Sequence, residues 1–129
     1  MKIYNKIYQL NELLTELFPK IRIDVEENQF SFSFNNLDGN CYLLDDKLCL
    51  SAALSDCRLM DDEAMNNIDD KIADLLYSEI NNAAFNSIDR DLYYTKLDGR
   101  IIYLQMNALN FSEQQISTFF ELAQKLIEN

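Results

Sequence analysis

Three pairs of adjacent aspartates are the residues of this chain that could most readily bind a metal ion. They occur at Asp45–Asp46, Asp61–Asp62 and Asp69–Asp70, and carboxylate oxygens are ligands that hard cations such as Ca²⁺ prefer. None of the pairs stands in a calcium-binding loop, which needs a glycine and a closing glutamate at fixed positions. Turns and helix caps account for the pairs instead, so the sequence predicts no metal site.

The residues that usually carry catalysis are scarce. The chain has no histidine, the side chain that most often moves protons near neutral pH. Its three cysteines, Cys41, Cys49 and Cys57, are spaced by eight residues, which predicts buried, reduced thiols in a cytoplasm. Gly39 and Gly99 are the only glycines, so no glycine-rich loop is available for a phosphate. We therefore predict a protein that is not an enzyme and has no cofactor.

The net charge of the chain indicates which classes of binding partner are favoured. The chain has 22 acidic and 11 basic residues, a formal charge of −11, which repels nucleic acid and anionic membranes and favours basic or amphipathic protein partners. No apolar run approaches the ~18 residues of a membrane span, and residues 1–10 do not resemble a secretory signal. The length of 129 residues predicts a single domain, 1–129.

The first half of the chain predicts a helix followed by strands. Apolar residues recur at helical spacing over 3–18, and Pro19 ends that pattern. Apolar and charged side chains alternate from Ile21 to Val25, which is typical of either a short extra strand or an extended connector. Phe30, Phe32 and Phe34 alternate with polar residues and predict a strand. A hairpin turn at Asp38–Gly39 and a break at Asp45–Asp46 would then separate it from strands over 41–44 and 47–54.

The second half repeats this arrangement. A helix capped within Met60 to Asp62 carries apolar residues at helical spacing as far as Ile80, and a hairpin around Asp98–Gly99 follows it. Ser112 and Gln115 form a capping box that begins a third helix. The fold class is therefore α+β: an antiparallel sheet of about five strands flanked by three helices, in the order α-β-β-β-α-β-β-α.

Three amphipathic helices and five strands offer more apolar faces than one small core obviously encloses, which favours association of two chains. The second helix is the candidate for a homodimer interface, through Ile72, Leu76 and Ile80. The alternative is that the helices simply cover one side of the sheet.

Several segments resemble class I type III secretion chaperones, small acidic dimeric proteins of Gram-negative bacteria. The first helix, the Phe30 to Asn35 strand and the segment Asp46 to Leu54 are similar to that family's first helix and early strands. The end of the second helix, through Asn81–Asn82 and Ala84–Phe85, and the stretch from Asp98 to Leu109 are similar to its later elements. The chain resembles this family over most of its length.

The resemblance implies a function and a site. It implies a cytoplasmic bacterial homodimer that binds the N-terminal segment of a secreted effector in extended form, keeps it export-competent, and has the secretion ATPase as a further partner. The effector would add a strand to a sheet edge and bury side chains between the first helix and the sheet. The expected effector-binding residues, which would equally suit an ordinary core, are Ile7, Leu10, Leu14, Phe32, Phe34 and Tyr42.

A different class of function is open to so acidic a chain. A small acidic inhibitor or immunity protein would block a basic active site or a nucleic-acid-binding site with carboxylates gathered on one face. Binding of that kind is sensitive to salt, whereas capture of an unfolded segment through apolar contacts is less so.

Overall fold

A computed structural model describes residues 2–82 and 91–127, with side chains from Lys6 onward. Its helices are α1 (Lys2–Leu17), α2 (Asp62–Ile80) and α3 (Glu113–Ile127). Its strands are β1 (Arg22–Val25), β2 (Gln29–Phe34), β3 (Leu37–Leu44), β4 (Lys47–Asp56), β5 (Tyr93–Asp98) and β6 (Ile101–Ala108). The predicted α+β class and element order are confirmed, and Ile21 to Val25 contributes a sixth strand. Ala84 and Phe85, which the family resemblance included, lie outside the described residues.

The six strands form one antiparallel sheet in the order β1-β2-β3-β4-β6-β5. The first four strands follow one another as a meander, and the chain then passes through α2 to reach the far edge at β5. Strand β6 returns between β5 and β4. The short strand β1 is therefore one edge of the sheet, and its residues are mostly exposed.

The hairpin turns use other residues than the sequence predicted. Asn35–Asn36, Asp45–Asp46 and Gly99–Arg100 all have positive φ angles, as the two central residues of a type I′ turn require. The predicted turn at Asp38–Gly39 is wrong, because the hairpin already closes at the Phe34–Leu37 pair. The turn predicted at Asp98–Gly99 lies one residue further on. Asparagine and aspartate tolerate positive φ better than most side chains, which explains the two glycine-free turns.

Gly39 instead lies within β3, opposite Phe32 of β2 and Ala52 of β4. A Cβ at this position would stand 2.4 Å from Cζ of Phe32 and 2.1 Å from the carbonyl oxygen of Ser51. The missing side chain therefore makes room for the Phe32 ring, a use of glycine that depends on close packing and not on turn geometry.

The caps of α2 and α3 agree with the sequence analysis. The Asp61 carboxylate accepts a hydrogen bond from the backbone N–H of Ala64 at 2.8 Å. The Ser112 hydroxyl accepts from the N–H of Gln115, whose side-chain oxygen in turn accepts from the N–H of Ser112. These bonds satisfy N–H groups that a helix start leaves unpaired.

One core lies between the helices and one face of the sheet. Its largest fully buried side chains include Phe30 of β2, Leu50 of β4, Leu104 of β6 and Phe119 of α3. Phe120 lies at the centre of an aromatic cluster, with ring centroids 4.7 Å from Phe18, 5.3 Å from Phe32 and 6.1 Å from Phe34. This cluster joins the end of α1 to β2 and α3.

Candidate functional site

The six predicted effector-binding residues do not form one groove. Ile7, Leu10 and Leu14 of α1 are at most 4% exposed and belong to the core, as does Phe32. Phe34 is half-buried in the aromatic cluster. Tyr42 occupies the opposite face of the sheet, since its neighbour Cys41 points into the core.

Two of these residues still line surface hollows. Leu10 lines a hollow of about 170 Å³ between α1 and the sheet, together with Leu13, Leu48 and Phe111. Phe32 lies in the wall of another, of about 370 Å³, beside the edge strand β1. We call the second one the edge hollow; its other lining residues are Arg22, Ile23, Asp24, Ser31, Ser33, Asp38 and Gly39.

A third hollow, which we call the α2–α3 groove, is lined mainly by aliphatic side chains. It has a volume of about 260 Å³, and its apolar lining residues are Leu54, Ile68, Ile72, Leu75, Leu126 and Ile127. Leu54 alternates with Leu50 and Ala52 on the core face of β4, and it lies at a β-bulge between Ala53 and Ser55, where one extra residue enters the strand. A hydrogen-bonded ion pair between Lys125 and Glu79, at 3.2 Å, also joins α3 to α2.

The α2–α3 groove continues into a wide depression beside the sheet. Leu54 and Ile127 also line a wide depression of about 620 Å³ that reaches the Asn35–Asn36 turn. Ser33 and Asp38, on either side of that turn, line the edge hollow. The edge hollow itself opens on the face of the sheet that points away from the helices, because Asp24, Ser31 and Ser33 alternate with the core residues of β1 and β2.

The residues predicted for a homodimer lie inside the chain. Ile72, Leu76 and Ile80 are each 6% exposed and pack in the core. The outward side of α2 is polar instead, with Asp70 and Asp74 exposed. In this structure the three side chains are buried within one chain. The homodimer stays a prediction.

The face of the sheet that points away from the core carries a polar network. We call it the open face; its central residues are Tyr42, Cys49, Ser51, Tyr94, Tyr103 and Gln105. The Gln105 amide donates to Ser51 Oγ at 3.2 Å, and the Asn107 amide donates to Tyr94 Oη at 2.7 Å. Asn107 Oδ1 is buried without a hydrogen-bond partner. None of the described helices lies over this face.

Burial affects two thiols and two phenols of the sheet, those of Cys41, Cys49, Tyr42 and Tyr94. Burial raises the pKa of the Cys41 and Cys49 thiols, although a hydrogen bond from Tyr42 opposes the shift at Cys49. Burial also raises the pKa of Tyr42 and Tyr94, and the neighbouring Cys49 adds to both shifts. Since the thiolate is the nucleophilic form of cysteine, these surroundings suit structural side chains.

The sequence did not predict a binding role for three of the residues that line the α2–α3 groove, Leu54, Leu126 and Ile127. Ile68 and Leu75 were recognised only as part of the apolar pattern of α2. Their spacing of seven residues widens the apolar face beyond the core stripe, a signal that could have suggested a second contact. The alternation of Leu48, Leu50, Ala52 and Leu54 predicts one shared face of the strand, but it does not indicate that Leu54 lines a groove.

Within 2–82 and 91–127, no group of three or more cysteine or acidic side chains is placed to hold a metal ion. In the same described part of the chain, no helix combines the length and apolarity needed to cross a membrane.

Comparison with known proteins gives a fold likeness alone. No protein-family model matches the chain, and no curated protein matches it. An uncharacterized protein from Methanothermobacter thermautotrophicus has a similar solved structure, with 11% sequence identity and a TM-score of 0.46. The likeness covers 94% of this chain and 90% of that chain, and no function follows from it.

Proposed function

We propose that this protein is a non-enzymatic bacterial cytoplasmic chaperone of the class I type III secretion kind. It holds the N-terminal segment of a secreted effector in extended form, works as a homodimer, and delivers the effector to the secretion ATPase. The observation that carries the proposal is the exposed edge strand β1 with the edge hollow beside it.

The edge strand supports binding through the backbone. An edge strand presents N–H and C=O groups to a further strand, and an extended peptide that pairs with them gains affinity with little dependence on its sequence. Exposed Arg22 and Asp24 mark this strand with charges, a common protection against pairing with the wrong chain. Such an edge suits a chaperone that must accept a non-globular segment.

The α2–α3 groove supports selectivity. Half-buried Ile68 and Leu75 leave apolar surface accessible at its rim, and an aliphatic side chain of the effector would remove that surface from water. The edge strand and the groove would contact different parts of the effector segment. The groove thus replaces the space between α1 and the sheet as our proposed main pocket.

The test begins with capture of partners by the tagged protein from the native bacterium, identified by mass spectrometry. The N-terminal segment of a captured secreted protein is then made as a peptide and titrated by calorimetry. We expect Leu75→Asp to weaken its binding by about tenfold or more, because a charge would enter an apolar contact. Tyr77→Asp is the matched control, since Tyr77 is 74% exposed on the same helix.

Edge pairing has its own test on the unaltered protein. N-methylation of alternate peptide amides should abolish binding when it removes the donors that face β1, whereas methylation of the other set should be tolerated. Binding that neither N-methylated peptide nor Leu75→Asp disturbs would contradict the proposal. Capture of a folded basic enzyme, with affinity that falls steeply in salt, would support the acidic inhibitor instead.

A further inference from the structure

Strand β1 carries apolar side chains on one face and charged side chains on the other. Residues that pair directly across two antiparallel strands share a face of the sheet. Ile23 and Val25 pair with buried phenylalanines of β2 and lie on the core face, whereas Arg22 and Asp24 pair with serines and lie on the open face. These serines are small, and the edge hollow lies over them beside the two charges. A strand added at this edge would therefore meet apolar surface on one face and one charge of each sign on the other.

The hydrogen bond that closes the β1–β2 hairpin shows which backbone groups of β1 point outward. The N–H of Glu26 donates to the carbonyl oxygen of Gln29 at 2.8 Å, and the pairing continues along β1 without a shift of register. The backbone groups of alternate residues point to the same side of an antiparallel strand. The residues two and four positions before Glu26 therefore also face β2, whereas Ile23 and Val25 direct their N–H and C=O groups away from it.

This geometry places the two charges where an added strand would come closest. The added strand would exchange hydrogen bonds with Ile23 and Val25, so the residues opposite Arg22 and Asp24 would form non-hydrogen-bonded pairs. In such pairs the Cα atoms are about 4.5 Å apart instead of about 5.5 Å, and the side chains are closer. Opposite charges at these positions attract and like charges repel. In the part of the chain that the structure describes, no ion pair involves Arg22 or Asp24.

We propose that Arg22 and Asp24 set the direction and register of an effector segment bound at β1, and that this segment reads apolar, basic, apolar, acidic, apolar from its N-terminus. The inference rests on the proposed function and names the sequence that the edge strand selects. In an antiparallel added strand the residue opposite Asp24 precedes the residue opposite Arg22, so the basic residue comes first. The apolar residues lie opposite Val25 and Ile23 and beside Ile21, which all leave apolar surface accessible at this edge. The reverse charge order would fit only a parallel strand, which pairs less stably.

The charges favour an effector segment over a second copy of the chain at this edge. The tripeptide Arg22–Ile23–Asp24 itself reads basic, apolar, acidic, so β1 of a second copy would satisfy the same rule. Pairing of two copies would, however, bring one formal charge of −11 beside another, which costs free energy through repulsion. A short effector segment contributes only one positive and one negative charge at the contact.

Two synthetic peptides of identical composition test the proposal. One contains the sequence Val-Lys-Val-Glu-Val and the other Val-Glu-Val-Lys-Val, both with the same uncharged flanking residues, and fluorescence anisotropy measures their binding. We expect the unaltered protein to bind the lysine-first peptide about tenfold more tightly at low salt, because two attractive pairs replace two repulsive ones. This preference should decrease as salt screens the charges.

Exchange of the two charges on β1 should reverse the preference. A protein with both Arg22→Asp and Asp24→Arg keeps its net charge and should bind the glutamate-first peptide more tightly by a similar factor. The matched control exchanges Lys96 and Asp98, which are exposed at the same spacing on β5, the other edge strand. Lys96→Asp with Asp98→Lys should leave the preference unchanged. Circular dichroism verifies that each variant is folded.

A segment captured from the native bacterium provides an independent check. It should contain the five-residue pattern, and the positions at which N-methylation abolishes binding should be its apolar residues, since their N–H groups face β1. A captured segment that does not bind at this edge would overturn both this inference and the proposed function.

Other outcomes overturn the inference alone. Equal binding of the two peptides, no binding of either, or a preference that follows Lys96 and Asp98 would show that Arg22 and Asp24 do not select the strand. The proposed function would stand in each case if a captured segment still binds with sensitivity to N-methylation. A dimer that excludes both peptides, and that Arg22→Asp alone dissociates in sedimentation, would assign the edge to a second copy and would also overturn the inference.

Discussion

At the scale of single residues, burial keeps the thiols of Cys41 and Cys49 in their neutral forms. The buried thiols of Cys41 and Cys49 have raised pKa values, so the thiolate that nucleophilic chemistry requires is disfavoured. The exposed Asp56 carboxylate has a lowered pKa because Arg58 hydrogen-bonds to it, and the pair serves to neutralise the end of a strand.

Gly39→Ala is the residue change for which we expect the clearest effect. The added Cβ would approach the Phe32 ring and the Ser51 carbonyl to well under normal contact distance. Overpacking of this kind costs about 1–3 kcal/mol in the free energy of unfolding, which urea denaturation would measure. Ser31→Ala, at an exposed position of β2, is the control and should change stability by less than about 0.5 kcal/mol. A Gly39→Ala protein as stable as the parent would contradict this account of the strand.

At the scale of elements, local patterns predicted most of the fold. Helical periodicity located all three helices, and the capping box at Ser112 and Gln115 formed as its sequence indicates. The turn positions were harder to predict, because Asn35–Asn36 and Asp38–Gly39 both suit a hairpin. Tertiary packing decided between them: closure at 35–36 places Leu37 on the core face, where it is fully buried. Prediction from neighbouring residues alone does not include the stabilisation that comes from burying Leu37.

The predicted site depended still more on tertiary structure. Leu10 and Phe32 do line hollows, but the α2–α3 groove arises where two helices meet a bulged strand. Leu54 lines the groove because β4 packs against α2 and α3, which are distant from it in sequence. Periodicity identified which side chains are apolar, whereas the packing of separate elements determined which of them remain accessible.

The start of α2 offers a prediction at this scale. Asp61→Ala removes the acceptor for the Ala64 N–H and should lower the free energy of unfolding by about 1 kcal/mol. Asp61→Asn is the matched control, because it loses the same negative charge but keeps a capping oxygen. Thermal or urea denaturation of both variants would distinguish the contribution of the capping hydrogen bond from that of the negative charge. Equal losses in the two variants would show that the charge, and not the hydrogen bond, stabilises the helix start.

At the scale of the whole molecule, the two faces of the sheet differ in cover and in charge. The core face is covered by helices whose outer surfaces carry exposed acids such as Asp70 and Asp74, while the open face is nearly neutral. The open face therefore has a low net charge, although it carries charges of both signs. The edge hollow lies at the β1 end of this face, because Arg22, Ser31 and Ser33 line it.

The excess of acid should also make stability depend on salt. A formal charge of −11 on 129 residues destabilises the compact state by self-repulsion, which salt screens. We therefore expect the Tm to rise by a few degrees when sodium chloride is increased from low to physiological ionic strength, as measured by differential scanning calorimetry. A variant with Asp70→Asn and Asp74→Asn should gain less, because it has less repulsion to screen. If the Tm instead fell with salt, attractive pairs such as Lys125–Glu79 would outweigh the repulsion, and net charge would not control the stability of this fold.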